Sequence, residues 1–275
     1  MNSEIDNLVN HVCESLENSK DLLKNSFRDS VSEVGVRYCI LDNLLPRSIA
    51  EKIQDRFPTK EQMRLMSSFR EKKYTTKNFD DFDPILKNIT FAMQDVRVIR
   101  IVEEITGISN QKADPSLYAG GLSLMTKGNY LNPHIDNSHE LSRTLYRTLN
   151  LLYYVNPNWK LEDGGNLELW NRSVIRSKTI VSKFNRLVIM ETNPWSWHSV
   201  SPVRSEKDRI CVSNYYFSPS SPVGNDYFNV TSFSARPEQK LLRIYSYFDR
   251  NIRNLVRLIV PRGLGKVDVY RNRTK

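Results

Sequence analysis

Apolar side chains change their spacing twice along this chain. Near the start, Ile5, Leu8, Val9, Val12 and Leu16 recur three and four apart, the repeat of one helix face, and predict an amphipathic helix. Residues 36–41 alternate as a strand does. Leu45-Pro46-Arg47-Ser48 then introduces a second helix with proline in its first turn. A longer helix is predicted over 84–106, stopped by Gly107.

From 117 to 217 the pattern becomes one of short β-type runs at 122–125, 149–155, 166–170, 186–190 and 209–217. Between them stand the turn signals Asn156-Pro157-Asn158, Asp163-Gly164-Gly165 and Asn193-Pro194. Strands of this length and spacing predict a sandwich or barrel, closed enough to bury a metal. Repeats and low-complexity tracts are not evident.

Beyond Pro237 the helical repeat returns. Leu241, Tyr245, Phe248, Ile252, Leu255 and Ile259 step by four and three, with Arg243, Arg250 and Arg257 near the opposite side. Such a stripe must pack against something. The outer face of the chain's own sheet is the favoured partner, ahead of a second copy or a membrane surface.

The chain has 275 residues, 39% of them hydrophobic, enough for one sizeable core. We therefore expect a single unit: a helix-and-strand region over 1–114, a catalytic β core over 115–220 and a basic helical extension over 221–275. No apolar run is long enough to span a membrane. Met1-Asn2-Ser3-Glu4-Ile5-Asp6 also lacks the basic start and apolar stretch of a signal peptide, so a cytoplasmic protein is expected. Cys13, Cys39 and Cys211 are an odd number without metal-motif spacing and read as reduced thiols. Charge is uneven. Residues 236–275 hold eleven Lys/Arg against three Asp/Glu, net +8, which leaves +1 of the total +9 for everything else. That end either draws the chain to an anionic surface or is a solvated face. No nucleic-acid-binding motif accompanies it, and no specific nucleic acid is predicted as a partner.

The candidate chemistry lies in the β region. In Asn132-Pro133-His134-Ile135-Asp136-Asn137, strand geometry would send His134 and Asp136 to the same side, and His198 in Trp197-His198 follows after 62 positions. Two imidazoles and a carboxylate can hold one face of a non-haem Fe(II) and leave coordination positions open. Against this, a His-x-Asp triplet in a surface turn and a buried, inert His198 beside Trp195 and Trp197 explain the same residues. His139 competes as a ligand but reads more simply as part of a loop leaving the site. Nothing links His11 to a metal. Arg209, ahead of Cys211 and Ser213 on one strand face, could clamp the far carboxylate of a dicarboxylate co-substrate, with Ser213 as a second donor. Arg204 and Lys207 could serve instead, and a surface arginine in Glu206-Lys207-Asp208-Arg209 is the plain alternative.

The motifs in this order resemble the 2-oxoglutarate and Fe(II)-dependent oxygenases, in their prolyl 4-hydroxylase-like branch. The resemblance runs from Leu41-Asp42-Asn43-Leu44-Leu45-Pro46 through Asn132-Pro133-His134-Ile135-Asp136, Asp163-Gly164-Gly165-Asn166-Leu167-Glu168-Leu169, Trp197-His198-Ser199-Val200 and Asp208-Arg209-Ile210 to about Phe217. It implies a double-stranded β-helix, or jelly roll, with N-terminal helices packed on it and an amphipathic helix after it. It implies His134, Asp136 and His198 as iron ligands and Arg209 as the partner of the distal carboxylate of 2-oxoglutarate. Two positions depart from the pattern: Met125 stands where many relatives carry a tyrosine that meets the co-substrate, and Cys211 where many carry a serine. Tyr118 or Tyr153 is the expected substitute for that tyrosine.

The implied reaction consumes O2 and 2-oxoglutarate, releases succinate and CO2 and hydroxylates an amino acid, a peptidyl (prolyl-like) residue or a small metabolite, with ascorbate as a candidate reductant. Asp136 argues against the related halogenating enzymes, which have a small residue there. Desaturation or ring formation remains open. Tyr130, Tyr146, Tyr153, Tyr154, Trp159 and Trp170 are core residues first and cleft-lining candidates second. A second class of function is a non-catalytic binding module of this fold, using its basic end on an anionic partner.

Overall fold

The computed structural model describes residues 3–118, 120–259 and 269–270. The start of the chain forms three helices, α1 (Ser3–Asn18), α2 (Lys20–Asp29) and α3 (Val31–Val34). Leu8, Val9, Val12 and Leu16 form the buried face of α1, as their spacing predicts. Each such side chain taken out of water stabilises the fold by about 1.5–3 kcal/mol before the entropy of ordering. Then follow β1 (Tyr38–Asp42), α4 (Arg47–Asp55), β2 (Arg64–Ser67) and β3 (Glu71–Thr76).

Where a single helix was expected over 84–106 there are two, α5 (Pro84–Ala92) and α6 (Val96–Thr106). The break falls at Asp95, whose carboxylate accepts the Arg97 amide at 2.9 Å and caps α6. The β2–β3 hairpin was not predicted: Glu71-Lys72-Lys73-Tyr74-Thr75-Thr76 is too polar to show a buried face.

The remaining strands are β4 (Gly121–Met125), β5 (Tyr130–Ile135), β6 (Tyr146–Tyr154), β7 (Leu167–Trp170), β8 (Ser177–Ile180), β9 (Arg186–Glu191), β10 (His198–Val200), β11 (Arg209–Ser218) and β12 (Ser232–Phe233), with α7 (Lys240–Ile259) last. The strands form one antiparallel sheet in the order β1-β9-β6-β11-β4-β3-β5-β10-β7-β8, with β2 beside β3 and β12 beside β5. The sheet folds back on itself. Tyr38, Leu152, Tyr154, Val188, Met190 and Cys211 from one end share a buried cluster with Leu167, Leu169 and Ile180 from the other. The opposite parity, Leu149, Leu151, Tyr153, Leu187, Ile189, Ile210 and Val212, packs against α1, α2, α5 and α6. This is the double-stranded β-helix with its helical backing.

α7 departs from expectation. Its apolar stripe does not lie on the sheet: Leu241 is 85% exposed and Ile252 60%. The other side faces the body. Ser246 is buried, Arg243 donates to the Ser173 and Val174 carbonyls, and Asp249 pairs with Arg70 at the β2–β3 turn. Tyr245 meets Phe69 edge-on at 5.0 Å. Just before the helix, Arg236 forms a partly buried ion pair with Glu168 of β7 at 2.6 Å. Polar anchoring therefore positions this helix. Residues 260–268 and 271–275 of the basic end lie outside the described residues, as do the side chains of Arg250, Leu255, Arg257 and Ile259. Cys13, Cys39 and Cys211 are free thiols, and no helix among the described residues is long and apolar enough to cross a membrane.

Candidate metal and co-substrate site

β5 and β10 lie side by side with His134 directly opposite His198, and Asp136 follows one residue beyond the end of β5. Ligating atoms of the three residues all lie within 4.8 Å of one another. The Nε2 atoms of His134 and His198 are 3.7 Å and 3.6 Å from the two Asp136 carboxylate oxygens. Each Nδ1 is within hydrogen-bond distance of the carbonyl two residues earlier, Asn132 O at 3.0 Å and Ser196 O at 3.1 Å. A carbonyl only accepts, so in each ring Nδ1 is the donor of this bond and Nε2 is the nitrogen turned to the cluster.

Burial, then the neighbouring His198, push the His134 pKa down to about 3, with Lys73 adding to the effect, so this imidazole is neutral at ordinary pH. Burial raises the Asp136 pKa. Arg147, the two histidines and an Asn150 hydrogen bond outweigh that and hold the carboxyl below the usual carboxylate range. Neutral imidazoles and an ionised carboxylate are the donor state that a divalent metal requires. His139 stays apart, its Nδ1 2.7 Å from the Ser138 hydroxyl and its ring against Tyr146 at 4.3 Å.

Two residues at this centre escaped the sequence reading. Arg147 is 1% exposed, places Nη1 3.2 Å from Asp136 Oδ2 and donates from Nη2 to Asn137 Oδ1 at 2.8 Å. Asn150 donates to the same Oδ2 at 2.7 Å, and Arg147 stacks over Tyr215 at 4.3 Å. Strand alternation would put Arg147 on the opposite face from Asn150, Leu152 and Tyr154. A bulge intervenes: Tyr216 pairs with Leu149 but Phe217 with Arg147, so Thr148 is passed over and Arg147 swings inward. A signal was present in the form of an arginine inside an apolar run, but its direction was not.

The trio opens into a cavity of about 730 Å³. Arg209, Cys211 and Ser213 of β11 line it from one strand face, as their spacing predicts, across from Met125 of β4 and beside Leu152 and Tyr154 of β6. Arg209 is buried. Its Nε donates to Gly165 O at 3.1 Å, Nη1 lies 3.8 Å from Met125 Sδ, and its guanidinium sits 4.9 Å over the Tyr154 ring. No carboxylate among the described residues lies within ion-pairing distance of it. The Gly164-Gly165 turn makes this position possible. Both residues have left-handed backbone, at φ +68° and +60°, and a Cβ on Gly165 would lie 3.3 Å from Arg209 Cγ. Arg204 and Lys207 are exposed and outside the cavity.

Tyr153 is a correction. Its hydroxyl donates to Asn185 Oδ1 at 2.9 Å and its ring belongs to the core under the helices, so it cannot meet a ligand in the cavity. The next residue faces inward: the Tyr154 hydroxyl approaches Arg209 and Ser182 without completing a hydrogen bond. Of the other aromatic candidates, Tyr130, Tyr146, Trp159 and Trp170 do not line this cavity, whereas Tyr118 does.

The donor set fits a ferrous ion, and an unpaired buried guanidinium beside an unsatisfied hydroxyl fits a carboxylate. Comparison with known proteins agrees. Residues 120–217 match the model of the 2OG-Fe(II) oxygenase superfamily. Prolyl 3-hydroxylase OGFOD1 from Mus musculus is 30% identical over 90 residues, 30% of this chain and 16% of that protein. The Xenopus laevis protein of the same name is 34% identical over 76 residues, 26% and 15% of the two chains. The matched segments thus span about a sixth of these relatives' length.

Among solved structures, a prolyl 4-hydroxylase from Phytophthora capsici aligns with a TM-score of 0.52 at 15% identity, over 95% of this chain and 81% of that one. A prolyl hydroxylase from Trichoplax adhaerens, in complex with a hypoxia inducible factor oxygen degradation domain peptide fragment, aligns with a TM-score of 0.50 at 19% identity, over 73% and 91%. At these identities the likeness is one of fold. Residues 120–217 are thus similar to the 2OG-Fe(II) oxygenases, a class whose cofactors are ferrous iron and 2-oxoglutarate, and the fold is like that of the prolyl hydroxylases.

Proposed function

We propose that this chain is a 2-oxoglutarate- and Fe(II)-dependent dioxygenase that hydroxylates an amino acid, a peptidyl (prolyl-like) residue or a small metabolite, releasing succinate and CO2. In this reading His134, Asp136 and His198 hold the iron, and Arg209 receives the distal carboxylate of 2-oxoglutarate. Bound iron and co-substrate supply the oxidative chemistry by which O2 is activated. This chain's residues bind and orient them. The Nδ1 hydrogen bonds fix both rings, Arg147 and Asn150 occupy Asp136 Oδ2 and leave Oδ1 for the metal, and Tyr154 offers a hydroxyl to the carboxylate at Arg209. Met125 and Ser213 complete the co-substrate wall. Residues 115–220 supply the proposed ligands and Arg209, while β3 from the region 1–114 and residues 228–233 complete the cavity wall, as parts of one unit.

The observation that carries the reading is the meeting of three side chains of ligating type within 4.8 Å, beside a cation that no carboxylate among the described residues neutralises. The test is turnover. Anaerobically iron-loaded protein, given O2, should convert 2-oxoglutarate to succinate slowly without a primary substrate and faster when one is found in a metabolite and peptide screen. His134→Ala should abolish both rates. If wild-type protein never consumes 2-oxoglutarate, the binding-module reading takes its place.

A further inference from the structure

Helix α7 turns its apolar side away from the molecule. Leu241, Tyr245, Phe248 and Ile252 are separated by four, three and four residues, the a/d spacing of a heptad seam, and Leu255 and Ile259 continue that spacing in the sequence. The first four are each 55–85% exposed, as is Ile244 beside them. The opposite face is the one held by the body, through Ser246, Arg243 and Asp249. A surface helix ordinarily buries its apolar stripe and gives its polar face to water. Here the arrangement is inverted, and polar anchors fix the stripe outward.

The spacing and the charges choose among the partners such a face could take. A helix bound to an anionic membrane draws on cations that reach the headgroups. On α7 those cations lie on the wrong side: Arg243 donates to the Ser173 and Val174 carbonyls, Arg253 lines the metal cavity, and Arg250 follows Arg243 by seven positions on the same side. The seam is flanked instead by Ile244 and Asn251 along one edge and Asp249 along the other. A narrow a/d seam suits another helix carrying the same seam, and the same patch on a second copy is self-complementary. The area is sufficient for a weak pair. A large apolar side chain offers on the order of 150–200 Å², so the five exposed ones leave roughly 500–600 Å² per copy and about 1,100 Å² in a pair, the lower end for a specific interface. Beside the seam lies a groove of about 520 Å³, lined by Val174, Trp197, Phe233, Ile244 and Phe248, with room for side chains of a partner.

We propose that two copies of this chain pair through α7, seam against seam about a two-fold axis, with side chains that flank each seam entering the groove of the other copy. Ile252 belongs both to the seam and to the lining of the metal cavity, so the second copy's helix stands at the cavity mouth and forms part of its rim. The pairing goes beyond the oxygenase reading and does not depend on it.

The test is analytical ultracentrifugation of the full chain between about 1 and about 200 μM, the span in which interfaces of this size associate. The mass should rise from the 32.1 kDa of one copy toward twice that value, with half-association on the order of tens of micromolar. Phe248→Glu combined with Ile252→Glu should hold the chain at the mass of one copy throughout. Phe248→Leu combined with Ile252→Leu should keep the pair, since leucine fills a and d positions. Leu22→Glu, at an exposed apolar position on α2, should change nothing. Unfolding midpoints at the lowest concentration report that the variants are folded, and Leu241→Glu, at the most exposed seam position, should weaken pairing severalfold and serves if the glutamate pair does not fold. A wild-type chain that keeps the mass of one copy at the highest concentration overturns the proposal; its flotation with phosphatidylcholine and phosphatidylserine vesicles would then give the stripe to a membrane. A pair that survives both glutamate variants overturns it as well, because the contact would lie elsewhere.

Discussion

Arg147 and Asn150 extend the centre's sensitivity beyond the three proposed ligands. They engage Asp136 Oδ2, and Arg147 is a fully buried cation whose Nε has no partner. Arg147→Gln would leave Asp136 buried without its counter-charge, at a cost of about 3–5 kcal/mol, and should weaken Mn(II) binding by about 10–100-fold. Arg147→Lys should recover stability better than affinity, since one ammonium cannot serve Asp136 and Asn137 together. A Mn(II) titration followed by water-proton relaxation checks this, and unchanged affinity in Arg147→Gln would remove its positioning role. The adjacent tyrosines give a paired test. Tyr154→Phe should raise the dissociation constant for 2-oxoglutarate severalfold with little loss of stability. Tyr153→Phe should leave that constant alone and cost about 1 kcal/mol through the lost bond to Asn185. Calorimetry and denaturant unfolding separate the two, and the opposite pattern would restore Tyr153 as the co-substrate residue.

Among the elements, α6 carries a clear pH prediction. Arg97 bonds to the Asp95 carboxylate and holds its pKa below the ordinary range against the desolvation that raises it. A carboxyl with a depressed native pKa adds stability that is complete above its unfolded value, near 4, and is lost as pH falls through the native one. Asp95→Asn keeps a capping oxygen but removes the charge, so unfolding curves should show a shallower stability loss between about pH 4 and pH 2. A slope equal to wild type would mean that Asp95 does not contribute to it. The same residue shows why the region 84–106 was misjudged: its apolar repeat runs nearly unbroken across Met93-Gln94-Asp95, and only the cap distinguishes two helices from one. Period-two runs in the β core were legible because one parity of β6, β9 and β11 packs on helices and the other lines the barrel. The β2–β3 hairpin was illegible because it borders the cavity with charged side chains. The direction of α7 was illegible because its polar anchors, Arg70 and Ser173-Val174, lie far away in sequence.

At the scale of the molecule, the sheet's return on itself brings His134 opposite His198 across neighbouring strands and puts Arg209 on the next wall. The meeting of His134, Asp136 and His198 was readable from the order of the motifs that resemble the family, and strand alternation put Arg209 on one face with Cys211 and Ser213. Arg147 and Tyr154 were not. A bulge redirects the first, and a choice of parity between neighbouring tyrosines, decided only by packing under the helices, selects the second. Metal that binds the folded state alone should stabilise the whole fold: Mn(II) at about 100 times its dissociation constant adds about 2.7 kcal/mol. His134→Ala should abolish that gain, and a gain surviving in the variant would put the metal elsewhere.

The most direct measurement is anomalous diffraction from crystals grown anaerobically with Mn(II) and 2-oxoglutarate. The account predicts one metal peak bounded by His134 Nε2, Asp136 Oδ1 and His198 Nε2, with the distal carboxylate of 2-oxoglutarate against Arg209 and Tyr154. A peak elsewhere, or a co-substrate lying away from Arg209, would contradict it.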